Sequence, residues 1–320
     1  MDHGPILLTI GAILLVSLGA DTLGRRTGLP RVTLLVATGI AIGPYGLDLI
    51  PEPMGDATEF IAAIALVMVA FLLGGELSRD KLKKNGRAIV IVSLAVVLVT
   101  TVVVAFGLIA AGMAVVPAVL LGAAATATDP AATRDVVTEY KAKTGNGDGF
   151  TQRLLGIVAI DDAWGLVVFG IAMGVAVGIQ NGGIAGVELG LAADVAWELF
   201  GAVAVGVIVG LPACYLTGRV LPGEPTQTEA LGVVLICGGA AMWLGVSYLL
   251  AAIVAGVVVT NFAKHHRRSF REIEYMDWPF LVLFFVLAGA SLDPDALIAT
   301  GLAGVAYVVF RLIGRFIGGW

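Results

Sequence analysis

Residues 154–178 read LLGIVAIDDAWGLVVFGIAMGVAVG, an apolar stretch whose charges are two adjacent aspartates, Asp161 and Asp162. A helix of about 20 apolar residues crosses the roughly 30 Å hydrocarbon core of a bilayer. Without water to satisfy its backbone at that depth, such a segment must close its hydrogen bonds internally as a helix. Its carboxylates must then face protein or a wet cavity, and acids so placed mark an ion or proton pathway by default. A third acid, Asp129, stands in ATATDPAAT, where Pro130 interrupts another apolar stretch.

The rest of the chain fits a bundle of such segments. Of its 320 residues 58% are hydrophobic and 13% charged, and the mean hydropathy is +0.97. A soluble domain carries about 25% charged residues, so a large water-soluble core is excluded. No long period-2 alternation appears, which excludes a membrane β-barrel. The chain therefore reads as an all-α polytopic membrane protein, one transmembrane domain over residues 1–320. Eleven apolar spans are predicted, at 5–20, 32–50, 58–77, 88–111, 115–133, 154–178, 196–218, 228–243, 246–263, 278–291 and 296–320. The 43 glycines suit close helix approach in lipid. Gly170-Gly174-Gly178, Gly206-Gly210 and Gly314-Gly318 have the spacing of small-residue contact faces. Cys214 and Cys237 fall in separate apolar stretches and form no disulfide framework. His3, His265 and His266 lie at a chain end or in a loop, so neither a zinc site nor any other bound cofactor is expected. The first residues, MDHGPILLTI, lack a positively charged leader, which makes the first span a retained helix rather than a cleaved signal.

The loops give an orientation. Odd-numbered loops carry Arg25, Arg26 and Arg31; Arg79, Lys81, Lys83, Lys84 and Arg87; Arg134, Lys141, Lys143 and Arg153; Arg219; and Lys264, Arg267, Arg268 and Arg271. These are 17 of the 19 basic residues. Even-numbered loops hold acids instead, among them Glu52, Asp56, Glu188, Asp194, Asp293 and Asp295. The positive-inside rule puts the odd loops in the cytoplasm and the N-terminus outside, in a plasma-type membrane. The partner is thus the lipid bilayer, with no sign of nucleic acid. The run KHHRRSFRE at 264–272 reads as a topology signal with headgroup-binding character.

The remaining bases, Arg311 and Arg315, lie one helical turn apart in the last span and share a face. A base at membrane depth pairs with an acid. Arg315 is close enough to the cytoplasmic end to snorkel, which makes Arg311 the better salt-bridge candidate. Pro130 lacks an N–H and clashes with the preceding turn, so the fifth span should break near Thr128. Broken backbone is tolerated in a membrane where it lines a cavity, and such breaks build ion sites in secondary transporters. Thr126 and Thr128 add hydroxyls there. Asp161 and Asp162 diverge by about 100° around their helix, so they face different partners. One is expected to face a fixed cation. The other is expected to face a cavity and to alternate between H⁺ and a hard cation such as Na⁺, held transiently. Glu76, in FLLGGEL, reads as a boundary or cavity-mouth charge.

These residues resemble the cation:proton antiporter superfamily of sodium/proton exchangers. The resemblance rests on Thr128-Asp129-Pro130 followed by Asp161-Asp162, on FLLGGEL at 71–77, on FFVLAGASLD at 284–293 and on Arg311-x-x-Gly314. It implies an inverted-repeat fold with a mobile core domain, ion-binding helices around 115–178 and 278–320, and a homodimer working by elevator-like alternating access. It implies that Asp162 binds the ion and the proton, that Asp161 pairs with the late-helix base, and that Asp129 caps the broken helix. The paired aspartates resemble the electrogenic branch, but that branch has Lys where Arg311 stands, and arginine does not deprotonate. Related antiporters have twelve or thirteen spans and a second broken helix, so the chain is expected to lack its C-terminal spans. The implied activity is Na⁺ or Li⁺ exchange for H⁺ in pH homeostasis, which is transport rather than enzyme catalysis. K⁺/H⁺ exchange or potassium efflux is the alternative. A sodium-coupled organic-anion symporter would not need the buried acids. An intramembrane aspartyl protease would need a Gly-x-Gly-Asp type of motif, which neither Asp129 nor Asp162 has.

Overall fold

The structure, a computed structural model, describes residues 4–27, 29–51, 54–144, 149–180, 189–217, 226–263 and 266–320. Among the described residues there are twelve helices and no strand: α1 (Gly4–Thr27), α2 (Arg31–Ile42), α3 (Met54–Glu76), α4 (Arg79–Ala110), α5 (Val115–Ala124), α6 (Pro130–Thr144), α7 (Gly149–Gln180), α8 (Leu189–Thr217), α9 (Thr226–Trp243), α10 (Tyr248–Phe262), α11 (His266–Ala290) and α12 (Pro294–Gly319). Seven of them (α1, α3, α4, α7, α8, α11 and α12) are long and apolar enough to cross a membrane, and α2, α5, α9 and α10 are shorter apolar helices. The stretch predicted as the fifth span is divided between α5 and α6. The stretch predicted as the tenth begins well before residue 278. Residues 266–277, expected in a loop because they are charged, are wound into α11. Hydropathy marks where a helix enters lipid, not where it starts, and this polar run contains no residue that stops a helix.

The helices pack as two bodies. In one, α4 lies along α12 and also holds α5 and α7. In the other, α3 and α8 pack on α10, α11 packs on α2 and α3, and α1 and α9 fill the sides. α6 lies at the boundary, against α7 on one side and α2 and α3 on the other. Residues 278–290, expected with the ion-binding helices, thus sit in the opposite body. Their place beside α7 and α12 is taken by α4, whose apolar sequence carried no sign of it.

Glycine sets the intimacy of both bodies. A methyl group at Gly74 of α3 would fall 2.1 Å from the carbonyl oxygen of Ile253 on α10, and one at Gly256 of α10 would fall 2.2 Å from that of Phe71. In the other body, methyls at Gly314 and Gly318 would meet the Cα atoms of Thr100 and Val96 at 2.8 and 2.7 Å. The Gly314-Gly318 spacing seen in the sequence is therefore the seam between α12 and α4. In lipid, where no water drives helices together, this close backbone approach is the main source of association. The opposite face of α12 is apolar and exposed, with Leu302 at 87%, Phe316 at 69% and Leu312 at 64%.

Gly256→Ala forces backbone against backbone and should lower the melting temperature in detergent, a cost of about 1–3 kcal/mol for overpacking. Gly239→Ala, with nothing within 4 Å of the added methyl, should leave it unchanged. Equal melting temperatures for the two variants would contradict the seam.

Candidate ion-binding site

The site begins with a shortage of hydrogen bonds. α5 ends at Ala124, tightening as it does so: Thr126 and Ala127 donate their N–H groups to the carbonyls of Ala123 and Ala124. Pro130 cannot continue a helix from behind, but it opens one well, because its missing N–H has no partner at a first helical position anyway. Between the two helices, residues 125–127 leave carbonyls that no backbone N–H of either helix claims, whereas the Asp129 carbonyl already accepts from Thr133 of α6. An unpaired carbonyl costs free energy wherever water is absent.

Two arginines of α12 claim them. Arg311 donates from Nε to the Ala125 carbonyl at 3.0 Å and from Nη2 to that of Ala127 at 2.7 Å. Arg315 donates from Nη2 to the carbonyls of Thr126 at 2.6 Å and Ala127 at 3.0 Å, and from Nη1 to the Thr128 hydroxyl at 2.8 Å. The Thr128 hydroxyl in turn donates to Asp161 Oδ2. Arg315 Nη2 approaches that same oxygen at 3.9 Å. The base within ion-pair distance of Asp161 is therefore Arg315, not Arg311 as the sequence favoured. Arg315 does not snorkel, because the break presents acceptors within its reach. Asp161 is buried, 1% exposed. Its Oδ1 and the Nε of Arg315 have no hydrogen-bond partner among the described residues.

Asp129 and Asp162 point to other tasks. Asp129 Oδ1 accepts from the N–H groups of Ala131 at 2.9 Å and Ala132 at 3.3 Å, which makes it the N-cap of α6. Asp162 makes no hydrogen bond or ion pair with the described residues. It lines a cavity of about 330 Å³ with Thr126, Ala127, Gly165, Leu166 and Phe169 from one body and Ser247 and Leu249 from the other. A larger cleft of about 580 Å³, between α5 and α12, has no carboxylate in its lining. Thr126 is buried and donates its hydroxyl back to the Ala123 carbonyl at 2.7 Å. Glu76 ends α3 and does not line the Asp162 cavity.

Two contributors went unnoticed in the sequence. Ser247 caps α10 by accepting from the Leu250 N–H at 3.3 Å, and so brings the second body to the cavity wall. Its signal was a serine directly before an apolar run. Trp164 donates to the Ser93 hydroxyl at 3.2 Å, fixing α7 against α4. Nothing in the order of residues pairs those two.

The model of the family described as sodium/hydrogen exchanger, transmembrane, matches residues 10–320. The chain belongs to this family. Among curated relatives, it is similar to the ammonium/H⁺ antiporter subunit AmhT of Alkalihalophilus pseudofirmus, 23% identical over 90% of this chain and 71% of that one. It is also similar to the K⁺/H⁺ antiporter subunit KhtU of Bacillus subtilis, 21% identical over 100% of this chain and 78% of that one. Among solved structures, the sodium proton antiporter MjNhaP1 of Methanocaldococcus jannaschii at pH 8 shares the fold. Its TM-score is 0.73 at 19% identity, over 99% of this chain and 79% of that one. The chain is thus a multi-pass membrane protein of a cation:proton antiporter family.

Within this exchanger, Arg315→Met strands the buried Asp161 charge and the Thr126 carbonyl, while the Ala127 carbonyl keeps Arg311. Removing one partner of a buried pair costs about 3–5 kcal/mol, so the melting temperature in detergent should drop steeply. Adding Asp161→Asn should recover part of the loss, because the stranded charge is gone. No recovery in the double variant would mean that the two groups do not compensate each other.

Proposed function

We propose that this protein exchanges Na⁺ or Li⁺ for H⁺ across a plasma-type membrane, with Asp162 as the carboxylate that holds either one. The observation that carries the reading is the contrast between neighbouring acids. Asp161 is engaged by Thr128 and Arg315, whereas Asp162 is unengaged at a cavity wall. A carboxylate with hydroxyls nearby suits a hard monovalent cation better than a soft metal. Because the same oxygens take either the proton or the cation, occupancy by one excludes the other, which is the minimum that exchange requires. Asp129, Thr126, Thr128, Pro130 and the two arginines shape the break and are not carriers in this reading.

Arg315 stays protonated through any transport cycle, since a guanidinium does not release its proton near neutral pH. The Asp161–Arg315 pair then carries constant charge, and Asp162 alone alternates. One proton for one monovalent cation follows, which makes the exchange electroneutral despite the paired aspartates. The motion is a displacement of the α4, α5, α7 and α12 body, carrying α6 with it, against the other, with the cavity between them facing each side in turn. The charge pattern of the loops supports a cytoplasmic α6 end and an outside N-terminus, and the family supports a homodimer. K⁺ as the transported ion is the second reading, favoured by the K⁺/H⁺ antiporter similar over the whole of this chain.

The test is transport in proteoliposomes by the protein at its full natural length. A pulse of Na⁺ or Li⁺ should move the internal pH, and Asp162→Asn should abolish the response. A response to K⁺ alone would replace the ion but keep the mechanism, and an active Asp162→Asn would remove the carrier. Imposing a thiocyanate diffusion potential should leave the exchange rate unchanged. A rate that rises with the potential would show that more than one charge moves.

A further inference from the structure

We propose that Arg134 of α6, with Asp277 and Glu274 of α11, is a latch between the two bodies that holds this conformation closed at the α6 end. The proposal rests on the exchange reading above, because a latch matters where the bodies separate.

The geometry is specific. Arg134 donates from Nη1 to Asp277 Oδ2 and from Nη2 to Glu274 Oε1 at 3.2 Å, so a single guanidinium grips two acids one turn apart. The Asp277 side chain is 5% exposed and that of Arg134 15%, while Glu274 stands at the rim with 53%. Asp277 lies eleven residues into α11, just before the stretch predicted as its membrane span, and a buried acid there is retained for its partner. Arg31, at the start of α2, stacks over the Trp278 ring at 5.4 Å and faces Asp135, the residue after Arg134. Asp135 Oδ2 is itself buried without a hydrogen bond among the described residues. Charges from α2, α6 and α11 therefore converge where the broken helix meets the second body.

What makes this a latch rather than a fastening is its position. α6 continues directly from the break that carries Thr128 and Asp129, so a grip on Arg134 is a grip on the ion site's own backbone. The Asp162 cavity extends the other way, along Gly165, Leu166 and Phe169 towards the far end of α7. The site is thus open on one side while the charges are clamped on the other. Moving the first body exposes the Arg134 and Asp277 charges to water, where an ion pair is worth far less than in a shielded site. The bodies then have two arrangements, one with the pair closed and one with both charges hydrated.

Two measurements on the full-length protein test this, in a Cys214→Ser/Cys237→Ala background. In the first, Phe169→Cys reports how open the cavity is to an impermeant methanethiosulfonate reagent, with no need for transport. Asp277→Asn should slow its modification roughly tenfold by shifting the population away from this arrangement. The exchange of charges, Arg134→Asp with Asp277→Arg, should restore the rate. Equal rates in all three proteins would overturn the latch whether or not the protein exchanges ions. In the second, Arg134→Cys/Asp277→Cys is joined with a short bifunctional thiol reagent, which keeps the test valid if the charge variants fold poorly. Joining should stop cation-driven proton movement, and a cleavable reagent should restore it on reduction. Full-rate exchange by the joined protein would show that α6 and α11 need not separate. A wild-type protein that moves no protons with any monovalent cation would instead remove the exchange reading, leaving the modification rates to decide the latch.

Discussion

Three carbonyl groups, those of Ala125, Thr126 and Ala127, organise this protein. They follow the end of a helix that stops inside an apolar bundle, where water is not there to take them. Everything around the site answers that shortage. α12 brings two arginines one turn apart, and each spends its fork on the loose end of α5. Holding α12 at that distance requires its Gly314-Gly318 face to press onto α4. Once two guanidinium groups are fixed there, an acid beside them is compensated, and Asp161 occupies that place. The break, the arginines and the first aspartate are thus one construction.

In the proposed exchange, this explains why two acids stand side by side. A single carboxylate would have to offset the arginines and exchange its ligand at the same time. Offsetting demands a permanently ionised group shielded from the cavity, and exchange demands one that changes state and faces it. Adjacent positions on a helix diverge by about 100°, so neighbouring residues satisfy both demands from one backbone site. The chain separates the tasks by direction rather than by distance.

Much of this was legible in the sequence, for reasons that can be named. Buried charge is so costly in lipid that Asp129, Asp161, Asp162, Arg311 and Arg315 stood out from an apolar background. Pro130 placed the break because its chemistry permits little else. What remained hidden depends on length and direction rather than residue type. Whether Arg311 or Arg315 meets Asp161 turns on a single helical turn and on where α5 stops, which fell at Ala124 rather than near Thr128. The grouping of α4 with the site, and of α11 with the other body, is a fact of packing that hydropathy does not encode. Ser247 was invisible as a wall of the cavity, since a capping serine looks the same wherever its helix begins. The paired reach of Arg134 to Asp277 spans more than 140 residues of sequence and reads there as one more cytoplasmic charge.

For the proposed exchange, the two bodies also explain how a protein this apolar can have a moving part. Within each body, backbone meets backbone across glycines, and such contacts have no softer alternative arrangement. Between the bodies, the seam is made of the ends of helices, the rim of the Asp162 cavity and charged side chains at α6. Side chains and hydration shells can rearrange without disturbing a helix, whereas a glycine seam cannot slide without a clash. The sequence of contact types therefore places rigidity inside the bodies and compliance between them. It also leaves Asp162, the proposed carrier, at the cavity between the bodies, where in the proposed exchange a small displacement changes which side it faces.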